Sequence, residues 1–305
     1  MREPNPESKT ARWKVGAVTI TAILESSDAF SSDFLRRYVL PDATVEGVKA
    51  MPWLCPFWVD EAGALLFVTQ SFLIESAGKR IIVDTCLGND KPRRNPAFDR
   101  LQTPFLERLE AAGAEVDDVD FVLCTHLHFD HVGWNTRWNG QAWVPTFPRA
   151  RYLFAEDEWN YWRSRENHAY VLADSIQPVL DAGLAEFVPS DFALTPEVSL
   201  ESTPGHTPGH VSVRIRSGGA EAVITGDVLH HPCQVGRPEW TSPADTDPRA
   251  ARLTREALLA DASARHVLVV GTHFAYPAAG WVRTIGPGRA LEPCHGEPLE
   301  MSDSA

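Results

Sequence analysis

Four apolar segments of this 305-residue chain end in a residue that can bind or orient a metal ion. The segments "IIVD", "FVLCTH", "AVITGD" and "VLVVGTH" end at Asp84, His126, Asp227 and His273. The strands of an open α/β sheet deliver the residues that follow them to one edge, where binding sites are usually built. We therefore expect four buried strands whose ends meet at a single site.

Further apolar runs predict more strands, and helical patterns lie between the later ones. One helix is predicted over residues 98–114, because Leu101, Phe105 and Leu109 recur at helical spacing, and Asp99 is a candidate cap. No internal repeat or Pro/Gly-rich linker divides the chain. This order of elements predicts an α/β fold in one domain over residues 13–295, with loosely ordered ends at 1–12 and 296–305.

Charge and composition disfavour several classes of function. The chain has 41 acidic against 28 basic residues, a net charge of −13 and no Lys/Arg cluster, which disfavours binding to DNA or RNA. No stretch approaches the roughly 20 apolar residues that cross a bilayer, and the charged N-terminus does not read as a secretory signal. Five scattered cysteines without a CxxC pair suit a reducing compartment. We therefore expect a cytoplasmic protein that binds neither nucleic acid nor membrane.

The stretch "LCTHLHFDHVGW" crowds His126, His128, Asp130 and His131 into six positions directly after an apolar run. One explanation is a His-rich surface loop, and the other is a metal site. Imidazole nitrogen and carboxylate oxygen bind zinc and related divalent ions at ~2.0–2.2 Å. Four ligands on one turn cannot all reach a single ion, so the pattern favours two ions side by side.

Two ions need further ligands, and the chain offers three of them in order. They are His206 in "TPGHTPGH", Asp227 in "ITGD" and His273 in "GTHF", beside Gly205, Gly226 and Gly271. Glycine at such positions allows the tight backbone that aims a ligand inward. A metal site explains these partners, whereas a polar surface loop does not.

The motifs "THLHFDH", "TPGHTPGH", "ITGD" and "GTH", in this order, resemble those of the metallo-β-lactamase superfamily. The resemblance implies an αββα sandwich, in which two mixed β-sheets are flanked by helices and a dinuclear metal site lies at one edge. It also implies the ligands: His126, His128 and His206 for the first ion, Asp130, His131 and His273 for the second, and Asp227 as the bridge. Asp84 matches an aspartate that orients a ligand. The alternative in which His210 replaces His206 stays open.

Two positions depart from the family pattern. Cys86 stands where the family usually has Gly, and Trp134 stands where a second Gly is common. We expect Trp134 to form one wall of the substrate pocket. His230 and His231 follow Asp227 closely, and we take His230 as the candidate that donates a hydrogen bond to substrate. A structural role remains the alternative for both.

The aromatic segment "MPWLCPFWVDEAG" precedes the core strands and looks like an insertion. We interpret residues 28–64 as an N-terminal arm. Its Trp53, Phe57 and Trp58 either cover an apolar substrate as a lid or pack the arm onto the domain. Exposed tryptophans in this arm would also suit a homodimer contact.

Within the superfamily, the full ligand set and the run "THFAYPAAGWVR" look closest to the lactonase and methyl-parathion-hydrolase-like branch. The resemblance implies that two divalent ions, zinc or else manganese, iron or cobalt, hold a bridging hydroxide that attacks the substrate. Asp130, Asp227 and His230 would be the catalytic residues. The expected substrate is a small, fairly apolar lactone or carboxylic ester, such as an acyl-homoserine lactone. Phosphotriester hydrolysis, a mono-iron oxidation of the persulfide-dioxygenase type and a non-catalytic metal-binding role are the alternatives.

Overall fold

Two mixed β-sheets form the centre of the computed structural model, which describes residues 10–27 and 30–299. In that part of the chain the strands are β1 (Thr10–Val15), β2 (Val18–Ser26), β3 (Thr69–Ser76), β4 (Lys79–Val83), β5 (Phe121–Leu123), β6 (Thr136–Trp138), β7 (Trp143–Pro145), β8 (Arg151–Ala155), β9 (Ala185–Val188), β10 (Val198–Ser202), β11 (Val211–Ser217), β12 (Ala220–Ile224), β13 (Leu268–Val270), β14 (Ala279–Ile285), β15 (Gly288–Pro293) and β16 (Glu297–Leu299). The helices are α1 (Ser32–Tyr38), α2 (Val45–Lys49), α3 (Phe105–Ala111), α4 (Glu156–Trp162), α5 (Ala169–Val171), α6 (Gln177–Asp181), α7 (Cys233–Gly236) and α8 (Pro248–Arg265), and a π-helix, Leu172–Ile176, joins α5 to α6. None of the helices within the described residues is both long and apolar enough to cross a membrane.

The strand order shows why both sheets are mixed. The first sheet has the order β16-β1-β2-β3-β4-β5-β8-β9, and it is parallel from β4 to β9 and antiparallel elsewhere. The second sheet has the order β10-β11-β12-β13-β14-β15, and its only parallel pair within the described residues is β12 with β13. β6 and β7 form a separate hairpin. Each sheet thus contains parallel strands whose carboxyl ends point to the same edge.

The first sheet is buried on both of its faces. In β3, Phe72 and Ile74 belong to the core that is shared with the second sheet, whereas Leu73 packs with Phe105 and Leu109 of α3. Because successive strand residues point to opposite faces, an unbroken apolar run suits a strand between two layers. On the other side of the sandwich, α8 packs against β14. The predicted αββα sandwich with two mixed sheets is confirmed.

The helix predicted over residues 98–114 is much shorter in the structure, where α3 covers Phe105–Ala111. Pro104 directly precedes this helix, and a proline disfavours helical geometry in the residue before it. Asp99 caps nothing there, because its side chain accepts a hydrogen bond from the backbone N–H of Arg93 at 2.8 Å in the preceding loop. The predicted start and cap of this helix were therefore wrong.

The two ends of the described chain pair with each other. β1 and β16 are antiparallel neighbours, with Arg12 opposite Glu297. The loose ends expected at residues 1–12 and 296–305 were therefore wrong over these two strands, and the rest of both ends lies outside the described residues. The pairing could not be read from sequence because its partners come from opposite ends of the chain, and neither segment is apolar enough to indicate a strand alone.

The N-terminal arm packs as part of the domain, although its first two positions lie outside the described residues. Trp58 is fully buried, and its indole N–H donates to the carbonyl oxygens of Ala275 and Pro277, both at 3.1 Å. Trp53 and Phe57 are half-buried beside it, with ring centroids 6.2 and 6.1 Å from the Trp58 ring. These contacts agree with the packing interpretation. A buried Trp58 contradicts both a Trp58 lid and a dimer contact through that residue.

We expect Trp58→Ala to lower the free energy of unfolding by about 3–5 kcal/mol, since it removes a fully buried indole and leaves two carbonyl oxygens without their donor. Denaturant unfolding measures the loss. Trp53→Ala, at the half-buried neighbour, is the matched control and should have a smaller effect. A changed KM with an unchanged free energy of unfolding would contradict the packing role and restore the lid.

Candidate metal centre

The carboxyl ends of two parallel strand pairs meet at one edge of the sandwich. In the first sheet, Asp84 directly follows β4, and His126 lies three residues after β5. In the second sheet, Asp227 and His273 each lie three residues after β12 and β13. Nε2 of His273 is 3.2 Å from Nε2 of His131 and 3.2 Å from Oδ1 of Asp227, which joins the two sheets. The expectation that these strand ends converge on one site is confirmed.

Seven side chains, all of them expected from the sequence, form two groups that meet at Asp227. The first group is His126, His128, His206 and Asp227, and the second is Asp130, His131 and His273. Oδ2 of Asp227 lies 3.3 Å from Nε2 of His206 and 3.8 Å from Nε2 of His126. Oδ1 of Asp227 lies 3.3 Å from Nε2 of His131 and 3.2 Å from Nε2 of His273. One carboxylate oxygen therefore faces each group, which is the arrangement that a bridge between two cations requires.

The outer ring nitrogens of three histidines donate to fixed oxygen acceptors. These pairs are His131 with Asp84, His206 with Asp245, and His273 with the carbonyl oxygen of Val68, each at 2.9 Å. Because a carboxylate or a carbonyl oxygen only accepts hydrogen bonds, Nδ1 carries the proton in each ring. In the neutral form of each ring, Nε2 then has a lone pair on the side of Asp227. Outer-shell contacts of this kind orient metal-binding imidazoles in proteins.

The inner ring nitrogens lie close to one another, and their spacing tests whether the residues fit a metal. The two Nε2 atoms of His131 and His273 are 3.2 Å apart, and they lie 3.3 and 3.2 Å from Oδ1 of Asp227. In the first group, Nδ1 of His128 lies 2.9 Å from Nε2 of His206 and 3.0 Å from Nε2 of His126. A single proton on Nδ1 of His128 would have to be shared between two acceptor nitrogens. Ligand atoms of a tetrahedral zinc ion with bonds of ~2.0–2.1 Å are themselves about 3.3 Å apart. The residues therefore fit one divalent ion in each group.

Burial and neighbouring charges act differently on the side chains of the centre. Burial disfavours a charge on His131, but the carboxylates of Asp227, Asp84 and Asp130 outweigh it and raise the pKa of that ring well above its usual range. Burial, with help from neighbouring imidazoles, holds the pKa of His126 and of His128 well below its usual range. Burial opposes a charge on Asp227, but the rings of His131 and His273, with other imidazoles, outweigh it and hold the pKa of that carboxyl well below its usual range. Neutral imidazole and ionised carboxylate are the protonation states that bind metal ions. His126, His128 and Asp227 are therefore in the binding state already, whereas His131 would release a proton when an ion binds.

His210 stands behind Asp227 and belongs to neither group. Its Nε2 accepts a hydrogen bond from the backbone N–H of Asp227 at 3.0 Å, and its Nδ1 lies 2.9 Å from Oγ1 of Thr203. Gly226 packs against this ring with φ +52°, and a Cβ at that position would lie 2.6 Å from Nε2 of His210. Glycine alone meets both demands without strain. The geometry favours His206 over His210 as the ligand, and it gives His210 the task of orienting Asp227.

Asp84 joins the loop of His126 to the ring of His131. Its Oδ1 accepts from the backbone N–H of Thr125 at 2.7 Å, and its Oδ2 accepts from the Thr125 hydroxyl and from His131, each at 2.9 Å. Its backbone has φ +56°, and Cys86 two residues later has φ +51°. Such left-handed geometry persists in non-glycine residues only where the surroundings fix it. It also explains the glycine that the family usually has at the position of Cys86.

Asp245 supports His206, and the sequence analysis missed it. The side chain is buried, its Oδ1 accepts from Nδ1 of His206, and its Oδ2 accepts from the backbone N–H of Ser242 at 2.9 Å. It lies in the loop "SPADTDP" before α8, outside every recognisable motif. Nothing in the sequence distinguishes it from Asp247, which instead caps α8 through the backbone N–H groups of Arg249 and Ala250.

Trp134 packs in the core behind the site, so its prediction as a pocket wall was wrong. The side chain is 5% exposed, and its ring stacks on Phe105 with centroids 5.3 Å apart. Its indole N–H donates to Oε1 of Glu25 at 2.7 Å. Glu25 also accepts from the backbone N–H groups of Leu87 and Gly88, so the polar edge of the indole finds its partner inside the protein.

A row of four phenylalanines begins at the second group, and the sequence analysis missed it too. Phe67 stacks on His273 with ring centroids 4.3 Å apart and planes 16° apart. Phe30 is 5.1 Å from Phe67, Phe98 is 4.7 Å from Phe30, and Phe129 is 5.4 Å from Phe98, all between ring centroids. Phe129 is the residue before Asp130 in the chain. The row therefore makes an apolar border around the second group.

His230 and His231 differ sharply in what they contact. Neither ring nitrogen of His230 has a hydrogen-bond partner among the described residues, and its Nε2 lies 3.4 Å from Oδ2 of Asp227. Burial lowers the pKa of His230 to about 3, so the ring is neutral and carries one N–H. In His231, Nε2 donates to the carbonyl oxygen of Trp58 at 2.8 Å, and Nδ1 accepts from the backbone N–H of Cys233 at 3.1 Å. His231 is thus structural, whereas His230 keeps its donor available.

A protein-family model described as the metallo-beta-lactamase superfamily matches residues 65–273 of the chain. The chain belongs to this superfamily. One curated relative, an N-acyl homoserine lactonase from Bacillus sp., is 33% identical over 109 residues. That match covers 36% of this chain and 38% of the lactonase, so the chain spans well under half of the length of this relative.

Solved structures of superfamily hydrolases share the fold over nearly the whole chain. AidC, a dizinc quorum-quenching lactonase in complex with a product N-hexanoyl-L-homoserine, has a TM-score of 0.75 at 21% identity, covering 95% of this chain and 99% of AidC. AbOPH, a hydrolase in the beta-lactamase superfamily, has a TM-score of 0.76 at 23% identity, again covering 95% and 99% of the two chains. At these identities the likeness establishes the fold.

We expect Asp245→Asn to weaken the binding of an ion by the His206 group about 10- to 100-fold, because the ring of His206 loses the charged acceptor that fixes it. Titration of the metal-free protein against a competing chelator measures the binding. Asp247→Asn, two residues away at the cap of α8, is the matched control and should leave both binding steps unchanged. An Asp245→Asn variant with two wild-type affinities would contradict the assigned role.

Proposed function

We propose that this superfamily member is a dinuclear metal-dependent hydrolase that opens a small, fairly apolar lactone or carboxylic ester, with N-acyl homoserine lactones as the first candidates. The observation that carries the proposal is the carboxylate of Asp227, which turns one oxygen toward each group of histidines. A single-ion oxidoreductase or a simple metal-binding protein needs no such bridge. Paired ions held close together suit the hydrolysis of a carbonyl or phosphoryl centre.

The seven side chains would divide between two ions. We assign His126, His128 and His206 to the first ion, Asp130, His131 and His273 to the second, and Asp227 to both. When bound, the two ions acidify a water molecule and polarise the bond that it attacks. A donor set of imidazole nitrogens and carboxylate oxygens suits zinc, with manganese, iron or cobalt as the alternatives.

Asp130 is the carboxylate that we assign to proton transfer. Its side chain is 13% exposed, against 6% for Asp227, so it is the more accessible of the two. Its Oδ2 lies 3.8 Å from Nε2 of His273, which leaves Oδ1 to take a proton from the attacking water. The same atom can return that proton to the alcohol oxygen that leaves as the lactone opens.

His230 is the residue that we assign to the substrate oxygen. It is buried beside Asp227 and keeps an N–H without an acceptor among the described residues. Since the neutral ring donates a hydrogen bond without bringing a charge, it can stabilise the oxyanion that develops on the carbonyl oxygen. It would otherwise be an unpaired polar group in the interior, which is destabilising without a functional partner.

The apolar border supports a substrate with an acyl or alkyl group. Phe67, Phe30, Phe98 and Phe129 follow one another from His273 to the residue before Asp130. Phe30, Phe67 and Phe98 are only 5–8% exposed, whereas Phe129 beside Asp130 is half-buried. Phe129 is therefore the ring of this row that an acyl chain would cover, and burying apolar surface there contributes roughly 25 cal/mol per Å². The name of the Bacillus relative and the product bound to AidC support the same substrate class.

We expect the metal-loaded protein to hydrolyse an acyl-homoserine lactone, and a chelator-stripped sample to lose that activity and regain it when metal is restored. The measurement is a set of initial rates on an acyl-homoserine lactone, an aryl ester, a phosphotriester and a β-lactam. His206→Ala, which should lower metal content while keeping the fold, is the control for metal that acts outside this centre.

Each pattern of rates separates one alternative from the proposal. Faster metal-dependent turnover of the phosphotriester would move the protein to the organophosphate branch. A silent panel with two ions bound would contradict the substrate class and leave the centre standing. One iron per chain with oxygen consumption and no hydrolysis would favour the oxidoreductase.

We expect His230→Ala to lower kcat by about 10²–10³-fold, the usual loss for one oxyanion donor, while two ions stay bound. Steady-state kinetics and metal analysis of the same sample measure both. His231→Gln is the matched control, because the hydrogen bonds of that ring to Trp58 and Cys233 both involve main-chain groups, and it should lower stability with little effect on kcat. A His230→Ala variant with wild-type kcat would contradict the role.

A further inference from the structure

Glu158 is a buried carboxylate whose two oxygens are both saturated by neutral donors. The side chain is 1% exposed and belongs to the first turn of α4. Its Oε1 accepts from the backbone N–H of Leu127 at 3.0 Å and from the indole N–H of Trp162 at 2.7 Å. Its Oε2 accepts from the hydroxyl of Thr207 at 2.7 Å and from the backbone N–H of Gly209 at 3.1 Å. Burying a charged carboxylate is destabilising, so its hydrogen bonds to these two segments of the chain call for a structural explanation.

Glu158 connects the loop that carries His126 and His128 to the loop that carries His206. Leu127 lies between His126 and His128, and Thr207 directly follows His206. One oxygen of Glu158 is thus bonded to the first loop, and the other to the second. Because a carboxylate is rigid, the separation of these loops is set to within the length of a hydrogen bond.

The packing of α4 against the second loop depends on a glycine. A Cβ at Gly209 would lie 2.0 Å from the backbone nitrogen of Glu158, so a larger residue could not approach. The helix therefore sits directly on the loop that carries His206. Trp162, held by the same carboxylate, places its ring 5.3 Å from the ring of His128. Glu158 is thus bonded to the loop of His206 directly, and through Trp162 it supports the ring that lies beside His128.

The second group is supported by other residues. His131 is held by Asp84, and His273 is held by the carbonyl oxygen of Val68. The amide of Gln70 donates to the carbonyl oxygens of Gly271 and Phe274, at 3.0 and 2.9 Å, on either side of His273. The hydrogen bonds of Glu158 reach none of these residues.

We infer that Glu158 is a positioning residue for the first ion, which sets the ligand spacing of His126, His128 and His206 and leaves the second ion largely unaffected. The inference rests on the proposed function in one respect, the assignment of these histidines to a metal ion. It requires no particular substrate. Loss of the carboxylate should therefore weaken the binding of the first ion and leave the binding of the second ion unchanged.

Glu158→Gln is the direct test, because the side chain keeps its shape and replaces one acceptor oxygen with an NH₂ group. In either orientation that NH₂ faces at least one main-chain or indole N–H that cannot turn away. We expect the affinity of the first site to fall about 10- to 100-fold and that of the second to stay unchanged. The probe is Co²⁺ alone, titrated into metal-free full-length protein against a chelator and followed by its visible spectrum. His206→Ala and His273→Ala identify which step belongs to which group.

Glu25→Gln is the matched control for the loss of a buried carboxylate. Glu25 is 2% exposed and also accepts two backbone N–H bonds and an indole N–H, but these come from Leu87, Gly88 and Trp134, none of which belongs to the first group. It should lower the free energy of unfolding and leave the first-site affinity intact. Thr207→Val removes one donor and should weaken the first site in part, and Thr207→Ser should restore it. This pair keeps the test open if Glu158→Gln does not fold.

The outcomes divide cleanly. Selective loss of the first site in Glu158→Gln, absent in Glu25→Gln, supports the inference. Wild-type affinity at both sites, or equal first-site losses in the two variants, overturns it. Because the readout contains no substrate, a protein that binds two ions and fails to hydrolyse any lactone would contradict the proposed activity without touching this result.

Discussion

The carboxylate of Asp227 lies buried among imidazole nitrogens, and the rest of the structure is arranged around that fact. Its Oδ1 has no hydrogen-bond partner among the described residues, although burial removes it from water. A buried charge without a partner is destabilising, and lone pairs that face each other repel. Two cations remove both problems at once. The fold therefore keeps the Asp227 carboxylate and the imidazole nitrogens close together, as a preformed metal site requires.

Holding such atoms together takes support from several elements at once. Asp84 at the end of β4, the carbonyl oxygen of Val68 before β3, Asp245 before α8 and Glu158 on α4 each fix one ring or one loop. The first two stand on the first sheet, whereas the others come from the loops and helices around it. A centre built on rigid elements needs little reorganisation when a substrate arrives. Under the proposed function, His230 and the half-buried Phe129 at the end of the phenylalanine row are the parts left to contact a substrate.

The sequence revealed the centre because its chemistry is local in the chain. Polar residues at the ends of apolar strands, and the spacing of His126, His128, Asp130 and His131, are visible without a structure, and so is the α/β order of elements. Residues whose role depends on a distant partner were not visible. Asp245 and Glu158 are ordinary acidic residues until the fold places His206 or the two ligand loops beside them. Trp134 was misjudged for the same reason, since its partner Glu25 lies in β2. The pairing of β1 with β16 and the shortening of α3 by Pro104 likewise depend on contacts that periodicity does not contain.

The most direct test of this account is the metal content of the purified protein and of Asp227→Asn, measured together with unfolding. An amide at this position keeps the shape of the side chain but cannot give a charged oxygen to each ion. The account predicts two ions per chain in the wild type and one in a variant that stays folded. A wild type that takes up a single ion, or a variant that keeps two ions with unchanged affinity, would contradict the claim that Asp227 joins two metal sites.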